Sequence, residues 1–134
     1  MQPDAREFIR LSDICLPSFE DVSAISGLTD ADAISDWCLA LGAKTVVLKL
    51  GERGAMVRDG TRNIVLPPHP CEPIDATGAG DTFGGCLLAR LVAGDDIGAA
   101  ARYASVAAAL STQGYGAVEP IPRAAQVNAA LALS

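Results

Sequence analysis

Residues 75–85 read DATGAGDTFGG, and in this stretch three small residues, Gly78, Ala79 and Gly80, stand directly before Asp81. Glycine adopts backbone angles that are closed to other residues, and alanine adds little bulk. The apolar residues that follow repeat at helical spacing, so we expect a helix that begins near Asp81. The first turn of a helix presents unpaired N–H groups at the positive end of its dipole. The stretch therefore predicts a site for an anion such as phosphate.

Asp81 stands beside this predicted anion site, where a hydroxyl that approaches a phosphate would give up its proton. In kinases this role falls to an aspartate, because phosphoryl transfer depends on positioning more than on strong base chemistry. Taken alone, Gly-x-Gly-Asp favours a simpler interpretation, in which Asp81 complements the helix dipole and the glycines form a tight loop. The stretch matches neither G-x-G-x-x-G nor G-x-x-x-x-G-K-[ST], so a P-loop enzyme is not expected.

A second informative stretch is VVLKLGERGA at residues 46–55, where an apolar run ends with Lys49 and a turn follows with Gly51 and Gly54. Such a run is typical of a strand that is buried on both faces of a parallel sheet. Ligands of open α/β sheets collect at the carboxyl ends of the strands. Lys49 is therefore a candidate to bind an anionic ligand, and a solvated lysine at a strand end is the alternative.

The surrounding patterns predict an α/β fold, because a helical pattern leads directly into the predicted strand KTVVLKLG at residues 44–51. Shorter strands are expected at Asp13–Leu16, Ala55–Arg58 and Asn63–Leu66, with Asp59-Gly60 as a hairpin turn. The predicted helix limits are Ser18 as an N-cap, Thr29 with Asp32 as a capping box, and Gly42 as a C-terminal stop. An alanine-rich helix is expected within residues 95–117, and Pro122 is expected to open a short last helix.

The composition of the chain limits which partners, which cellular location and which cysteine chemistry are expected. The net charge is −6 and no basic run occurs, which argues against nucleic acid and anionic membranes as partners. No apolar run reaches the ~18–20 residues that span a bilayer, and the N-terminus lacks a signal-peptide pattern, so a cytoplasmic protein is expected. The four cysteines lack metal-binding spacing and are expected to be reduced structural thiols.

Three stretches together carry a family resemblance. IDATGAGDTFGG at residues 74–85 closely resembles the second signature of the ribokinase-like carbohydrate kinases, the PfkB family. VVLKLGERGA resembles the nucleotide-contacting strand and turn of that family, and ARYASVAAALSTQGYGA at residues 101–117 resembles its adenine-covering helix and loop. The resemblance implies a three-layer α/β/α fold with a mainly parallel sheet. Within the family, the chain looks most similar to 2-keto-3-deoxygluconate kinases.

The resemblance also implies roles for the residues of the first stretch. Asp81 would be the catalytic base that deprotonates the sugar hydroxyl attacking the γ-phosphate of ATP. The backbone amides of Gly78, Ala79 and Gly80 would form an anion hole that stabilises the transferring phosphoryl group.

Further implied roles concern the nucleotide and metal ions. Lys49, Gly51 and Gly54 would contact the nucleotide, and Ser105 stands where many relatives have an asparagine near the adenine. Asp75 and Thr77 would help to bind K⁺ together with carbonyl groups of residues 112–117. Mg²⁺ would accompany ATP, but Ser18 and Asp21 stand where relatives commonly carry the N-x-x-E motif for magnesium and phosphate activation. This departure weakens that assignment.

Family members are typically more than twice as long, and their amino-terminal half supplies the sugar contacts and a β-stranded lid. Residues 1–134 are therefore expected to be the C-terminal nucleotide-binding and catalytic portion. The first functional hypothesis is ATP-dependent phosphorylation of a sugar or sugar-acid hydroxyl. A non-catalytic remnant that binds nucleotide or a partner is the second, and a kinase for a nucleoside or vitamin alcohol is the third. The sugar and the occurrence of a homodimer are left open.

Overall fold

The computed structural model describes residues 5–133 of the chain, which divide into two compact units. We call Met1–Leu66 unit 1 and Pro67–Ser134 unit 2. Within residues 5–133, no helix is both long enough and apolar enough to cross a membrane.

Unit 1 combines a four-stranded sheet with three helices. The helices are α1 Ala5–Leu11, α2 Phe19–Ser26 and α3 Ala31–Leu41. The strands are β1 Ile14–Cys15, β2 Thr45–Lys49, β3 Ala55–Asp59 and β4 Asn63–Leu66, and they lie in the order β1-β2-β3-β4. The predicted strands and hairpin are thus present. β4 has the predicted limits, and the limits of the other strands differ from the predicted ones by one or two residues.

The expectation of a mainly parallel sheet is not met by the strands that the structure describes. β1 and β2 pair in parallel, whereas β2 with β3 and β3 with β4 are antiparallel. The connections explain the difference, since only residues 50–54 join β2 to β3 and only residues 60–62 join β3 to β4. A parallel pair needs a crossover of about a dozen residues or more, which here is available only between β1 and β2 through α2 and α3.

The core of unit 1 lies where α3 packs on the sheet. Val46, Val47 and Leu48 of β2 are fully buried, as the apolar run predicts for a strand covered on both faces. Ile34 and Cys38 of α3 are fully buried as well, and truncation of such an isoleucine to alanine typically costs about 2–5 kcal/mol. This packing holds the carboxyl end of β2, and with it Lys49, in a fixed place.

Capping side chains set the helix limits of unit 1, with one departure from prediction. Ser18 caps α2, since its Oγ accepts a hydrogen bond from the Asp21 N–H at 3.3 Å, and Gly42 ends α3 with a φ of 120°. The predicted capping box of Thr29 with Asp32 is wrong. Asp30 is the N-cap of α3, because its carboxylate accepts from the Ala33 N–H at 3.0 Å, the third helical position that an N-cap side chain reaches.

Unit 2 consists of α4 Ala79–Val92, α5 Ile97–Ser111 and α6 Ala124–Ala132. α5 packs along α4, and α6 packs on α5. Fully buried alanines of α5, including Ala100, Ala104 and Ala107, allow this close approach. α4 begins two residues before the predicted start at Asp81, because Gly78 takes the N-cap position with a left-handed φ of 78°. Ala79 and Gly80 therefore belong to the first turn of the helix.

Candidate active site

The stretch before α4 folds as a tight turn that leads straight into the helix. The Ala79 N–H donates to the Ala76 carbonyl oxygen at 3.1 Å, which closes a four-residue turn. Gly78 has φ 78° and ψ 1°, the angles of the third position of a type II turn, which favours glycine. The Gly78 carbonyl then accepts the Thr82 N–H at 2.9 Å as the first bond of α4. The turn and the helix start thus share one glycine.

Gly78 is also fixed by the chain that lies against it. A Cβ atom added there would lie 2.9 Å from the Ala117 Cβ and 3.2 Å from the Ala117 carbonyl oxygen. Real Cβ atoms do not make contacts shorter than 3.0 Å, so something would have to move. Both the backbone angle and the space therefore require glycine at this position.

The turn leaves several backbone donors without an acceptor. In the part of the chain that the structure describes, the amides of Gly78, Gly80 and Asp81 make no hydrogen bond. Gly80 and Asp81 are exposed, so these N–H groups, at the positive end of α4, are accessible to an anion. Of the three amides that the resemblance assigns to an anion hole, that of Ala79 is already bonded within the turn. Sequence reasoning did not name the Asp81 amide, because the family resemblance assigned the anion hole to the three residues before it.

The Asp81 side chain stands at the third position of α4. It is exposed, and within residues 5–133 it forms neither an ion pair nor a hydrogen bond. The carboxylate is thus free to accept a proton from a ligand that is bound at the neighbouring amides. The same turn therefore offers an acceptor for a proton and donors for an anion.

Asp75 connects the turn to the loop at residues 112–117. Its Oδ1 accepts the N–H and the hydroxyl of Thr77 at 2.9 and 2.6 Å, and its Oδ2 accepts the Gly116 N–H at 2.9 Å. The backbone N–H groups of Ile74 and Asp75 both donate to the Thr112 carbonyl oxygen, at 2.6 and 2.9 Å. The Thr77 hydroxyl, the Gly116 N–H and the Thr77 N–H lower the pKa of Asp75 to about 2, so this carboxylate is ionised at neutral pH.

Lys49, Gly51 and Gly54 lie together in one turn of unit 1. The Lys49 N–H donates to the Pro17 carbonyl oxygen at 2.9 Å, which ties the end of β2 to the start of α2. Residues 51–53 form a 3₁₀ turn, and Gly51 and Gly54 have φ values of 59° and 95°. The Lys49 side chain is half-buried, and within residues 5–133 its ammonium group has no carboxylate partner.

Ser105 and Ser18, which the sequence analysis also considered, lie outside the turn at residues 75–81. Ser105 is half-buried on α5, and no hydrogen bond between described residues joins it to the turn at residues 75–81. The Ser18 hydroxyl serves as the N-cap of α2. The described residues contain no group of three or more histidine, cysteine, aspartate or glutamate side chains that could hold a metal ion by themselves.

Comparison of the sequence with known proteins gives one family and several relatives. Residues 1–124 match the pfkB family of carbohydrate kinases. The chain is 38% identical over 90 residues to a ribokinase of Bacillus subtilis, covering 67% of this chain and 31% of the relative. It is 34% identical over 107 residues to a 2-dehydro-3-deoxygalactonokinase of Haloferax volcanii, covering 78% of this chain and 33% of the relative.

Solved structures share the fold. Thermotoga maritima ribokinase aligns with a TM-score of 0.89 at 28% identity, covering 98% of this chain and 46% of that one. Arabidopsis thaliana ribokinase in complex with ribose and ATP aligns with a TM-score of 0.87 at 31% identity. The alignment covers 99% of this chain and 45% of that one. A double-mutant Vibrio cholerae fructokinase with fructose, ADP and a potassium ion aligns with a TM-score of 0.84 at 30% identity. The alignment covers 92% of this chain and 42% of that one. The predicted ribokinase-like α/β fold is confirmed, and the chain spans less than half the length of each of these proteins.

Proposed function

Because the chain belongs to the pfkB family of carbohydrate kinases, we propose that it forms the nucleotide-binding and catalytic portion of an ATP-dependent kinase. Its acceptor is a hydroxyl group of a sugar or a sugar acid. One observation carries the proposal: the exposed Asp81 carboxylate lies at the start of α4, next to backbone amides that have no acceptor among the described residues. Such a turn supports positioning and charge stabilisation, which are the main requirements of phosphoryl transfer.

In the proposed reaction, the Asp81 carboxylate takes the proton of the acceptor hydroxyl. The oxygen forms a bond to the γ-phosphorus of ATP, while the bond from that phosphorus to the β–γ bridging oxygen breaks and ADP leaves. The amides of Gly78, Gly80 and Asp81 donate hydrogen bonds to the phosphoryl oxygens as negative charge develops on them. The Ala79 amide keeps the turn closed through its bond to Ala76.

The nucleotide is assigned to two groups of residues. Lys49, Gly51 and Gly54 contact its phosphates and ribose side, which the half-buried, carboxylate-free Lys49 in the glycine turn supports. Ser105 contacts the adenine, an assignment that is supported by the family resemblance alone. The Arabidopsis relative binds ATP together with ribose, which is consistent with this division between nucleotide and sugar.

Two cations complete the proposal. The Asp75 side chain suits K⁺, because its carboxylate is ionised and its three hydrogen bonds leave lone pairs free on the oxygens. A bound K⁺ would neutralise the charge of Asp75 beside the loop at residues 112–117. Mg²⁺ would arrive with ATP, since it takes most of its ligands from phosphates and water rather than from an all-protein cage.

Asp75→Asn is expected to weaken any stimulation of the kinase by K⁺, and an unchanged response would exclude the K⁺ assignment.

The acceptor is proposed as a sugar acid of the 2-keto-3-deoxygluconate type. The Haloferax volcanii relative, a 2-dehydro-3-deoxygalactonokinase, supports this class, whereas the Bacillus subtilis relative is a ribokinase. A panel of 2-keto-3-deoxy sugar acids, ribose and fructose, assayed with the protein by ATP consumption, distinguishes them. Preferred turnover of ribose or fructose would contradict the sugar-acid assignment.

Asp81→Asn tests the proposed base. We expect a loss of kcat of roughly 10²–10⁴, the scale of general-base removal, with little change in ATP affinity. The matched control is Glu20→Gln, which neutralises an exposed acid in the first turn of α2. Equal turnover in the two variants would remove Asp81 from the mechanism.

The second candidate is a chain that binds nucleotide and transfers no phosphate. The chain covers 31–33% of the two curated relatives named above. ATP binding and phosphoryl transfer are therefore measured separately on the 134-residue chain and on the same chain joined to a ribokinase amino-terminal half. Binding of ATP without transfer in both would establish the second candidate.

A further inference from the structure

Arg53 is a charged side chain of unit 1 that the proposed mechanism does not use. It is the last residue of the 3₁₀ turn between Lys49 and Gly54, and its side chain is exposed. Its guanidinium carbon lies 4.7 Å from the centroid of the Phe19 ring. Phe19 is the first residue of α2 and packs against the core of unit 1. An aromatic ring that is itself fixed against the core thus limits the movement of the arginine.

Among the residues that the structure describes, the charge of Arg53 is not balanced by a carboxylate, in contrast to five of the ten basic side chains of the chain. Ion pairs with carboxylates are formed by Arg10, Lys44, Arg58, Arg62 and Arg90. Within residues 5–133, Arg53 and Lys49 form no such pair, and neither does the exposed Glu52 between them. One turn therefore carries two unpaired cations and one acid in a protein whose net charge is −6.

Within residues 5–133 the Arg53 side chain forms no hydrogen bond, so its N–H donors are available. An arginine that stacks on an aromatic ring uses the face of its guanidinium, while its N–H donors point outward in the plane. Those donors form the fork that matches the oxygens of a phosphate. The ring also reduces the rotational freedom that the side chain would lose on binding an anion.

The backbone around the turn is fixed as well. The Arg53 N–H donates to the Leu50 carbonyl oxygen at 3.1 Å, and the Leu50 N–H donates to the Gly54 carbonyl oxygen at 2.9 Å. The Lys49 N–H is bonded to Pro17, two residues before Phe19. The segment at residues 17–19 and the turn at residues 49–54 are therefore held to one another through backbone bonds and the ring contact.

We infer that Arg53, held on the Phe19 ring, is a second cationic contact for the phosphate chain of a nucleoside triphosphate. The inference rests on the proposed nucleotide binding and adds a residue that discriminates ligands by their number of phosphates. Arg53 contacts phosphate oxygens through its N–H donors, and Phe19 acts as a positioning residue for it.

The experiment measures binding of ATP, AMP and inorganic tripolyphosphate to the 134-residue chain by calorimetry, at constant Mg²⁺ and about 0.15 M salt, where exposed charges are screened beyond ~8 Å. Arg53→Gln is expected to weaken ATP and tripolyphosphate binding by about tenfold or more, the scale of a hydrogen bond to a charged group. AMP binding should change by less than about twofold. Phe19→Leu should weaken ATP binding about two- to fivefold, the scale of a cation–π contact.

Arg62→Gln is the matched control, since it removes one exposed positive charge from the hairpin of the same unit. It should leave all three affinities within about twofold of wild type. Arg53→Lys should recover part of the ATP affinity that Arg53→Gln loses, because it restores the charge without the fork. Thermal unfolding of each variant separates a loss of affinity from a loss of folded protein.

The outcomes separate this inference from the proposed function. If wild type binds ATP and Arg53→Gln binds it equally well, or loses AMP and ATP affinity in equal measure, the inference is wrong and nucleotide binding stands. If wild type binds tripolyphosphate through Arg53 and does not bind ATP, the cationic phosphate site stands and the nucleotide assignment fails. If wild type binds neither, both are wrong.

Discussion

Two turns of this chain carry the same short pattern, Asp-x-Thr, and differ in what the aspartate reaches. In unit 1, Asp59 Oδ1 accepts the N–H and hydroxyl of Thr61 at 2.8 and 3.1 Å. In unit 2, Asp75 Oδ1 accepts the same two groups of Thr77 at 2.9 and 2.6 Å. Hydrogen bonds lower both pKa values to about 2. Locally, the two turns differ by one bond, since Asp59 Oδ1 also accepts the Arg62 N–H at 2.7 Å.

The two turns differ most in the partner of the second carboxylate oxygen, Oδ2, of each aspartate. Asp59 Oδ2 accepts from Nε of Arg62, three residues further on, whereas Asp75 Oδ2 accepts the N–H of Gly116, 41 residues further on. The first aspartate therefore closes only its own hairpin. The second orders a distant loop against the turn that carries Asp81. A contact at long range distinguishes a turn that builds a site from a turn that only reverses the chain.

The largest expected difference between the turns lies at their glycines. Gly78→Ala should lower the free energy of unfolding by about 1–3 kcal/mol, since it places a side chain at φ 78° and against Ala117. Gly60→Ala should stay within about 0.5 kcal/mol of wild type, because Gly60 lacks a positive φ and has nothing within 4 Å of an added Cβ. Urea unfolding measures both free energies. Equal effects of the two substitutions would contradict the claim that Gly78 is constrained and Gly60 is not.

A smaller effect is expected at the aspartates. Asp75→Asn replaces one accepting oxygen by an N–H donor, which removes the single bond to Gly116 or disturbs the two bonds to Thr77. If the lost bond is that to Gly116, exchange of the Gly116 amide hydrogen should accelerate about five- to tenfold. Asp59→Asn should change the exchange of the Thr61 and Arg62 amides and leave Gly116 unchanged. Acceleration at Gly116 in the Asp59 variant, or its absence in Asp75→Ala, would show that the long-range contact is not made by Asp75.

The smallest effect is a pH dependence that both turns share. A carboxylate whose pKa is lowered on folding stabilises the protein above the unfolded pKa of about 4. This contribution is lost as the pH falls toward about 2, where Asp59 and Asp75 take up protons. The amide signals of Thr61 and Gly116 should therefore both shift with midpoints near pH 2. In Asp75→Asn the Gly116 response should vanish while that of Thr61 stays, and a Gly116 signal that still titrates would contradict the assignment.

Local patterns predicted most of the fold. The apolar run of β2, the hairpin at Asp59-Gly60 and the Ser18 cap all depend on residues that are neighbours in the sequence, and the structure has all three. The direction of strand pairing was predicted less well, because it depends on the length of the connections rather than on the apolar pattern within each strand. The capping box failed because two adjacent residues, Thr29 and Asp30, both suit an N-cap.

The candidate site was predicted in part. The glycines and Asp81 stand out in the sequence because small residues before an acid are unusual at a helix start. The bonded state of the Ala79 amide, the Asp75–Gly116 contact and the ring of Phe19 beneath Arg53 were not predicted. The last two of these join residues that are far apart in the sequence, so no local spacing encodes them, whereas the Ala79 bond lies within a four-residue turn that the sequence reasoning did not consider. The roles of the site residues stay predictions.

The central claim is that the turn at residues 75–81 binds phosphate and the turn at residues 59–62 does not. Titration of the ¹⁵N-labelled 134-residue chain with ATP and with adenosine, followed by amide chemical shifts, tests it directly. The amides of Gly80 and Asp81 should shift with ATP and not with adenosine, while those of Thr61 and Arg62 stay in place. Shifts at Thr61 and Arg62, or no shift at Gly80 and Asp81 at any ATP concentration, would contradict the claim.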